Sequence, residues 1–232
     1  MRNLERSIAK VMRKAAKMLS ESETAPIKVT DKNMDTFLGV PYNRESIASQ
    51  EDSVGIVNGL AWTSAGGTLL PIEAVVIPGT GRLEITGSLG DVMKESIKLA
   101  ITYGRTLTGD YKFPEKFLNE YDIHVHAPEG AVPKDGPSAG VTIATALVSA
   151  VCRIPVRKDV AMTGEITLQG RVLAIGGLKE KLIAAHKEKI HTVVIPASNI
   201  PDLQDIPDEV RDTLEIIPVK RIDEVLEIAL KK

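Results

Sequence analysis

Pro133-Lys134-Asp135-Gly136-Pro137-Ser138-Ala139-Gly140, continuing as Val141-Thr142-Ile143-Ala144-Thr145-Ala146-Leu147-Val148-Ser149-Ala150-Val151, carries an irregular loop into a helix. From Ala139 to Val151 every residue is small or apolar and none is charged, so the helix has no face suited to water and must be buried. Ser138 therefore sits at the start of a rigid element. The first N–H groups of a helix lack internal partners and its dipole favours negative charge there, so an oxyanion forming beside Ser138 meets ready donors, with Gly136 and Ser138 supplying the main-chain N–H groups. Pro137 suits the first turn, where its missing N–H costs nothing.

Working outward, Val54 to Trp62, Thr68 to Ile77 and Arg82 to Thr86 read as strands, the last two joined as a hairpin at Gly79-Thr80-Gly81. Helix 91–105, strand 122–126, helix 137–151 and strands within 160–175 follow, with a turn at Gln169-Gly170. Helix 177–189, strand 191–195, helix 208–213, strand 215–218 and helix 222–230 close the chain in a βαβ-like alternation. The expected fold class is α+β, with mixed sheets covered by helices.

A serine hydroxyl needs a base, and either histidine or a neutral lysine can serve. Gly136-Pro137-Ser138-Ala139-Gly140 matches the Gly-x-Ser-x-Gly elbow of α/β-hydrolases, with His186 and His191 following Asp159 as partners for an esterase triad. An elbow requires a strand entering the serine, whereas Ala127 to Gly136 is broken by glycine and proline. Ile175-Gly176-Gly177-Leu178-Lys179-Glu180-Lys181-Leu182-Ile183-Ala184-Ala185-His186 offers lysines instead, on a helix with apolar positions 178, 182 and 185. Lys181 lies at the margin of that stripe, but spacing alone leaves Lys179 open.

Pro133 to Gly140, Met162-Thr163-Gly164-Glu165-Ile166-Thr167 and Gly176-Gly177-Leu178-Lys179-Glu180-Lys181 together resemble the proteolytic domain of Lon proteases of the bacterial and mitochondrial type. The resemblance spans about residues 40 to 232, taking in Gly59-Leu60-Ala61-Trp62-Thr63, Gly87-Ser88-Leu89-Gly90 and His124-Val125-His126. It implies a serine endopeptidase in which Ser138 and Lys181 form a catalytic dyad, Thr163 orients the lysine and Glu73 lies near it as support. From the residues alone, Thr163 is an ordinary β-branched strand residue. Glu73 is the only charge in Leu69 to Ile77 and calls for a partner. Asp135 is either a solvated loop residue or, if it reaches protonated Lys181, a group that holds the amine charged. The family pairs this domain with an upstream AAA+ motor using ATP and Mg²⁺, assembles as a hexameric ring and degrades unfolded or damaged proteins. A catalytically idle ring-assembly module is the remaining alternative.

Residues 1–40 fit the end of such a motor's small helical domain, leaving 41–232 as the proteolytic domain. Arg2 to Leu19 repeats apolar residues at 4, 8, 11, 12, 15, 18 and 19 among six basic residues and one acidic residue. Thr30-Asp31 caps a short helix over Asn33 to Leu38. The sequence contains no Gly-x-x-x-x-Gly-Lys-Ser/Thr, so no ATP site is expected within it, nor any other cofactor. His124 and His126 share a strand face without a third ligand at useful spacing, so no metal site is expected. A net charge of −2 gives no nucleic-acid signature. One cysteine, Cys152, cannot form an internal disulfide, and no apolar run reaches the roughly 18 residues of a membrane span. Bacterial cytoplasm is the expected location, with the mitochondrial matrix as alternative.

Overall fold

The computed structural model describes residues 2–21, 26–39, 48, 51–63, 66–128, 130 and 132–231. They belong to two units, Met1–Ser46 and Ile47–Lys232. The boundary expected between residues 40 and 41 lies outside the described residues. In the first unit, helix α1 (Arg2–Glu21) is followed by a 3-10 turn at Asp31–Asn33 and helix α2 (Met34–Leu38). The Thr30 N–H donates to Asn33 Oδ1 at 2.7 Å, and Lys10 Nζ donates to the Leu38 carbonyl at 2.7 Å. Leu4, Ile8 and Met12 of α1 are exposed.

In the second unit, β1 (Ile56–Thr63) and β2 (Gly66–Pro78) pair antiparallel, with Gly59 opposite Leu70. Next come β3 (Leu83–Thr86), α3 (Asp91–Gly104), α4 (Phe117–Glu120) and β4 (Tyr121–His126). Helix α5 (Gly140–Cys152) leads to β5 (Val160–Met162) and the ribbon of β6 (Glu165–Ile166) and β7 (Val172–Leu173). The chain continues through α6 (Leu178–Lys187), β8 (Thr192–Pro196), α7 (Asp208–Arg211), β9 (Glu215–Val219) and α8 (Ile222–Ala229). Seven strands form one mixed sheet in the order β3-β4-β2-β1-β5-β8-β9, and β6 and β7 form a separate pair. Strands β1, β5, β8 and β9 run parallel, which makes the C-terminal part βαβ-like as expected.

One expected pairing is corrected. Strands β2 and β3 are not hairpin partners, because β4 lies between them, antiparallel to β2 and parallel to β3. The cause is Asp122 at the start of β4, whose Oδ1 accepts the N–H groups of Thr80 at 2.7 Å and Arg82 at 2.8 Å. A carboxylate thus closes the Gly79–Gly81 turn where a hairpin would use its own ladder.

The period of two along the strands divides the core between the two sheet faces. Leu70, Ile72 and Ala74 join Val57, Ile123 and Val125 in a cluster with residues of α3, α5 and α8. Leu60 and Leu69 join Leu178, Leu182 and Ala185 of α6 in the other. Helices therefore cover both faces, each fully buried aliphatic side chain contributing about 1.5–3 kcal/mol. In α5 the residues from Gly140 to Ser149 are all buried, and the hydroxyls among them are satisfied: Thr145 Oγ1 donates to the Val141 carbonyl at 2.8 Å, and Ser149 Oγ accepts from Gly55 N–H at 2.9 Å. Gly140 permits this seat, since a Cβ there would lie 2.9 Å from the Ile166 nitrogen.

Candidate active site

Ser138 lies in a 3-10 turn, Pro137–Ala139, that precedes α5. Its carbonyl accepts the Gly164 N–H at 2.8 Å and the Thr163 hydroxyl at 3.3 Å, while the Gly164 carbonyl accepts the Val141 N–H at 3.0 Å. The segment between β5 and β6 thereby holds both ends of the turn that presents the serine. Thr163 is itself fixed by the ladder, its N–H donating to the Val194 carbonyl of β8 at 3.1 Å.

Helix α6 brings Lys181 to the same point. Its side chain is among the largest fully buried ones, at 1% exposure, whereas Lys179 is exposed. The Lys181 Nζ stands 3.1 Å from Ser138 Oγ and 3.0 Å from Thr163 Oγ1. Burial disfavours the ammonium form and pushes the Lys181 pKa down to about 8. Because the Thr163 hydroxyl spends its proton on the Ser138 carbonyl, its lone pairs face the amine and orient it. Gly177 opens α6 in the left-handed region, φ 68°, and the Trp62 indole packs where a Cβ would come within 2.5 Å of the ring.

The remaining expected site residues separate. Glu73 lines the same cavity as Ser138 and Lys181 and stands opposite His126 across the β2–β4 ladder. No hydrogen bond or ion pair joins its side chain to another described residue. Asp135 is exposed and makes no hydrogen bond or ion pair with Lys181; its Oδ1 accepts the N–H of Met93, in the first turn of α3, at 3.1 Å and that of Gly136 at 2.9 Å. Of the two roles expected of it, the contact with Lys181 is not formed, and the solvated loop carboxylate also serves as a cap, because the loop runs alongside residues 88–90. Lys134 N–H donates to the Ser88 carbonyl at 3.0 Å, Gly90 N–H to the Lys134 carbonyl at 2.8 Å, and the carboxylate lands on the adjoining helix start. The same carboxylate bears on the expected pair of oxyanion donors, Gly136 and Ser138. The Gly136 N–H is committed to Asp135, which leaves the Ser138 N–H, in a first turn that has no internal acceptor for it.

The histidines are engaged elsewhere. His186 Nδ1 is 2.7 Å from Thr213 Oγ1, His191 Nδ1 is 3.2 Å from Thr192 Oγ1, and Asp159 is paired with Arg157 at 2.7 Å. The esterase triad is therefore not assembled around Ser138. His124 Nε2 and His126 Nδ1 both bond Thr86 Oγ1, at 2.8 and 2.7 Å. Among the described residues no cluster of three His, Cys, Asp or Glu side chains could hold a metal, and no helix is long and apolar enough to cross a membrane. Ser138 and Lys181 open into a cavity of about 810 Å³, walled by Ile56, Leu69, Leu70, Met93 and Val132 on its apolar side and by Ala174, Ile175 and Gly176 ahead of α6.

What sequence reasoning missed is the 3-10 segment Ala197–Asp205 after β8, with Asn199 buried inside it. Its one local signal, Pro196 followed by Pro201, marks a break and not a site.

Comparison with known proteins agrees with this geometry. Residues 28–232 match the family profile described as the Lon protease (S16) C-terminal proteolytic domain. The chain is 58% identical over 229 residues to the Lon protease of Azorhizobium caulinodans, covering 99% of this chain and 27% of that protein. It is 54% identical over 228 residues to Lon protease 1 of Thermus thermophilus, covering 98% of this chain and 29% of the relative. To the Lon protease of Brevibacillus choshinensis it is 52% identical over 231 residues, covering the whole chain and 30% of the relative. The chain thus spans under a third of the length of these relatives. With its α+β fold, a serine at the head of a buried helix and a match running from residue 28 to 232, the chain belongs to the Lon protease (S16) family as its C-terminal proteolytic domain.

Proposed function

We propose that Ser138 and Lys181 are the nucleophile and base of a serine endopeptidase. The observation that carries this reading is a lysine at 1% exposure whose amine lies 3.1 Å from one serine hydroxyl and has its pKa lowered to about 8. Neutral Lys181 removes the Ser138 proton, and Oγ attacks the peptide carbonyl. The Ser138 N–H, at the positive end of the following helix, meets the oxyanion. Protonated Lys181 gives its proton to the departing amine, and water hydrolyses the acyl-enzyme by the same path reversed. Thr163 keeps the amine aimed at the hydroxyl, and Glu73 contributes a carboxylate to the cavity wall. Each step is carried by these side chains and main-chain groups, without a cofactor in this chain.

The substrates we infer are unfolded or damaged polypeptides, as the family that this chain belongs to implies. We further infer that the parent protein joins this domain to an AAA+ motor using ATP and Mg²⁺, with residues 1–40 as the end of that motor's small helical domain. It would assemble as a hexameric ring in the bacterial cytoplasm. Ser138→Ala and Lys181→Gln should each lower peptide cleavage by at least about 10³-fold, with circular dichroism unchanged. An active-site phosphonate should label Ser138 in the wild-type chain alone. Substantial cleavage by either folded variant would falsify the dyad.

A further inference from the structure

We infer that Asn199 is a positioning residue for peptide cleavage, acting through the cavity wall Ala174–Gly176; the inference rests on the peptidase reading of Ser138 and Lys181. Asn199 is 3% exposed. Its Oδ1 accepts the Ile175 N–H at 3.0 Å, and its Nδ2 donates to the Ile175 carbonyl at 2.9 Å. One side-chain amide thus takes both main-chain groups of a single residue, the bonds a neighbouring strand would make. The same Nδ2 donates to Asp202 Oδ2 at 2.6 Å, which fixes which end of the amide faces the Ile175 N–H.

The position of Ile175 gives this clamp its consequence. Ile175 follows the last paired residue of β7, Leu173, by two positions, so the β6–β7 ladder no longer holds it. It precedes by three the first residue of α6, the helix that carries Lys181. Ala174, Ile175 and Gly176 all line the cavity that holds Ser138, and the exposure alternates: Ala174 and Gly176 are exposed while Ile175 is half-buried. With Ile175 tied inward at both main-chain groups, Ala174 and Gly176 are what the segment offers to a peptide lying in the cavity. β8 serves the site twice, since Val194 fixes Thr163 within the strand and the 3-10 segment directly after it supplies Asn199. Asn199 touches neither Ser138 nor the reacting atoms, so its effect is on how a peptide is seated.

The experiment uses the full chain with a fluorogenic peptide, and hydrogen–deuterium exchange of the unliganded protein. Asn199→Ala should raise KM about 10- to 100-fold with a smaller change in kcat, the scale expected when a substrate-positioning segment shifts by about an ångström. Exchange at the Ile175 amide should accelerate while that at Val172, bonded to the Lys220 carbonyl at 2.8 Å, stays as in the wild type. Asp202 is exposed, so Asp202→Ala is expected to keep the fold, which circular dichroism checks. It removes only the bond that orients the amide and should raise KM about fivefold. Wild-type KM in both variants, or unchanged Ile175 exchange in Asn199→Ala, overturns this inference alone. A wild-type chain that is not labelled at Ser138 by the phosphonate and does not cleave the peptide overturns the peptidase reading and this inference with it.

Discussion

The amine of Lys181 determines how the site responds to pH. With its pKa at about 8, the base is half neutral there and almost wholly charged two units lower. We therefore expect kcat/KM for a short peptide to rise about tenfold per pH unit below pH 7 and to level off above pH 9, with a midpoint near 8. A flat profile between pH 6 and 9 would remove lysine from the role of base. The same depression has a stability sign. Between pH 8 and 10.5 the unfolded chain binds this proton more readily than the folded one, so the cost of burying the charge is complete below the folded pKa and fades toward the unfolded value. That cost is about 3 kcal/mol. Lys181→Met, apolar and unbranched, should accordingly raise the melting temperature at pH 7 while losing activity, and the gain should shrink as pH approaches 10.5. Ser138 is legible in the sequence because proline, glycine and a charge-free run surround it. The lysine is legible only as a pair, because the choice between Lys179 and Lys181 depends on the hydroxyl of Thr163 and the packing of β2, which lie elsewhere in the chain.

At the level of elements, the helices and most strands follow from periodicity, and the failures have one cause in common. The Gly79–Gly81 turn looks like a hairpin until Asp122, 40 residues after Arg82, takes its N–H groups. Asp135 is an exposed loop carboxylate, but its bond to the start of α3, 42 residues before it, could not be read from the loop. Short polar side chains that bond a distant backbone leave no periodic trace, and Asn199 is a third case. The second of these changes the expected effect of a mutation. Had Asp135 faced Lys181, its removal would have released the base; as a cap on α3 that also ties down Gly136, it holds the serine loop in place. Asp135→Ala should destabilise the domain by about 1 kcal/mol and lower peptide cleavage, as measured by thermal melting and initial rates. A faster variant would restore the inhibitory role.

At the scale of the whole molecule, Ser138 and Lys181 open into a cavity of about 810 Å³ between the sheet and its helical cover, and under the peptidase reading we expect it to take extended chain and not a folded domain. The chain should therefore cleave a reduced and carboxymethylated protein but not the same protein in its native fold, and added ATP should change neither rate. ATP-stimulated degradation of the native form by this chain alone would contradict that. The placement of Trp62 against Gly177 has a practical consequence at this scale. It is the sole tryptophan in the sequence, half exposed, and touches the residue from which the lysine-bearing helix departs. Excitation of the unmodified protein beyond the tyrosine absorption band thus yields emission from one indole at the mouth of the reactive centre, so ligand entry and shifts of that helix can be timed without a dye.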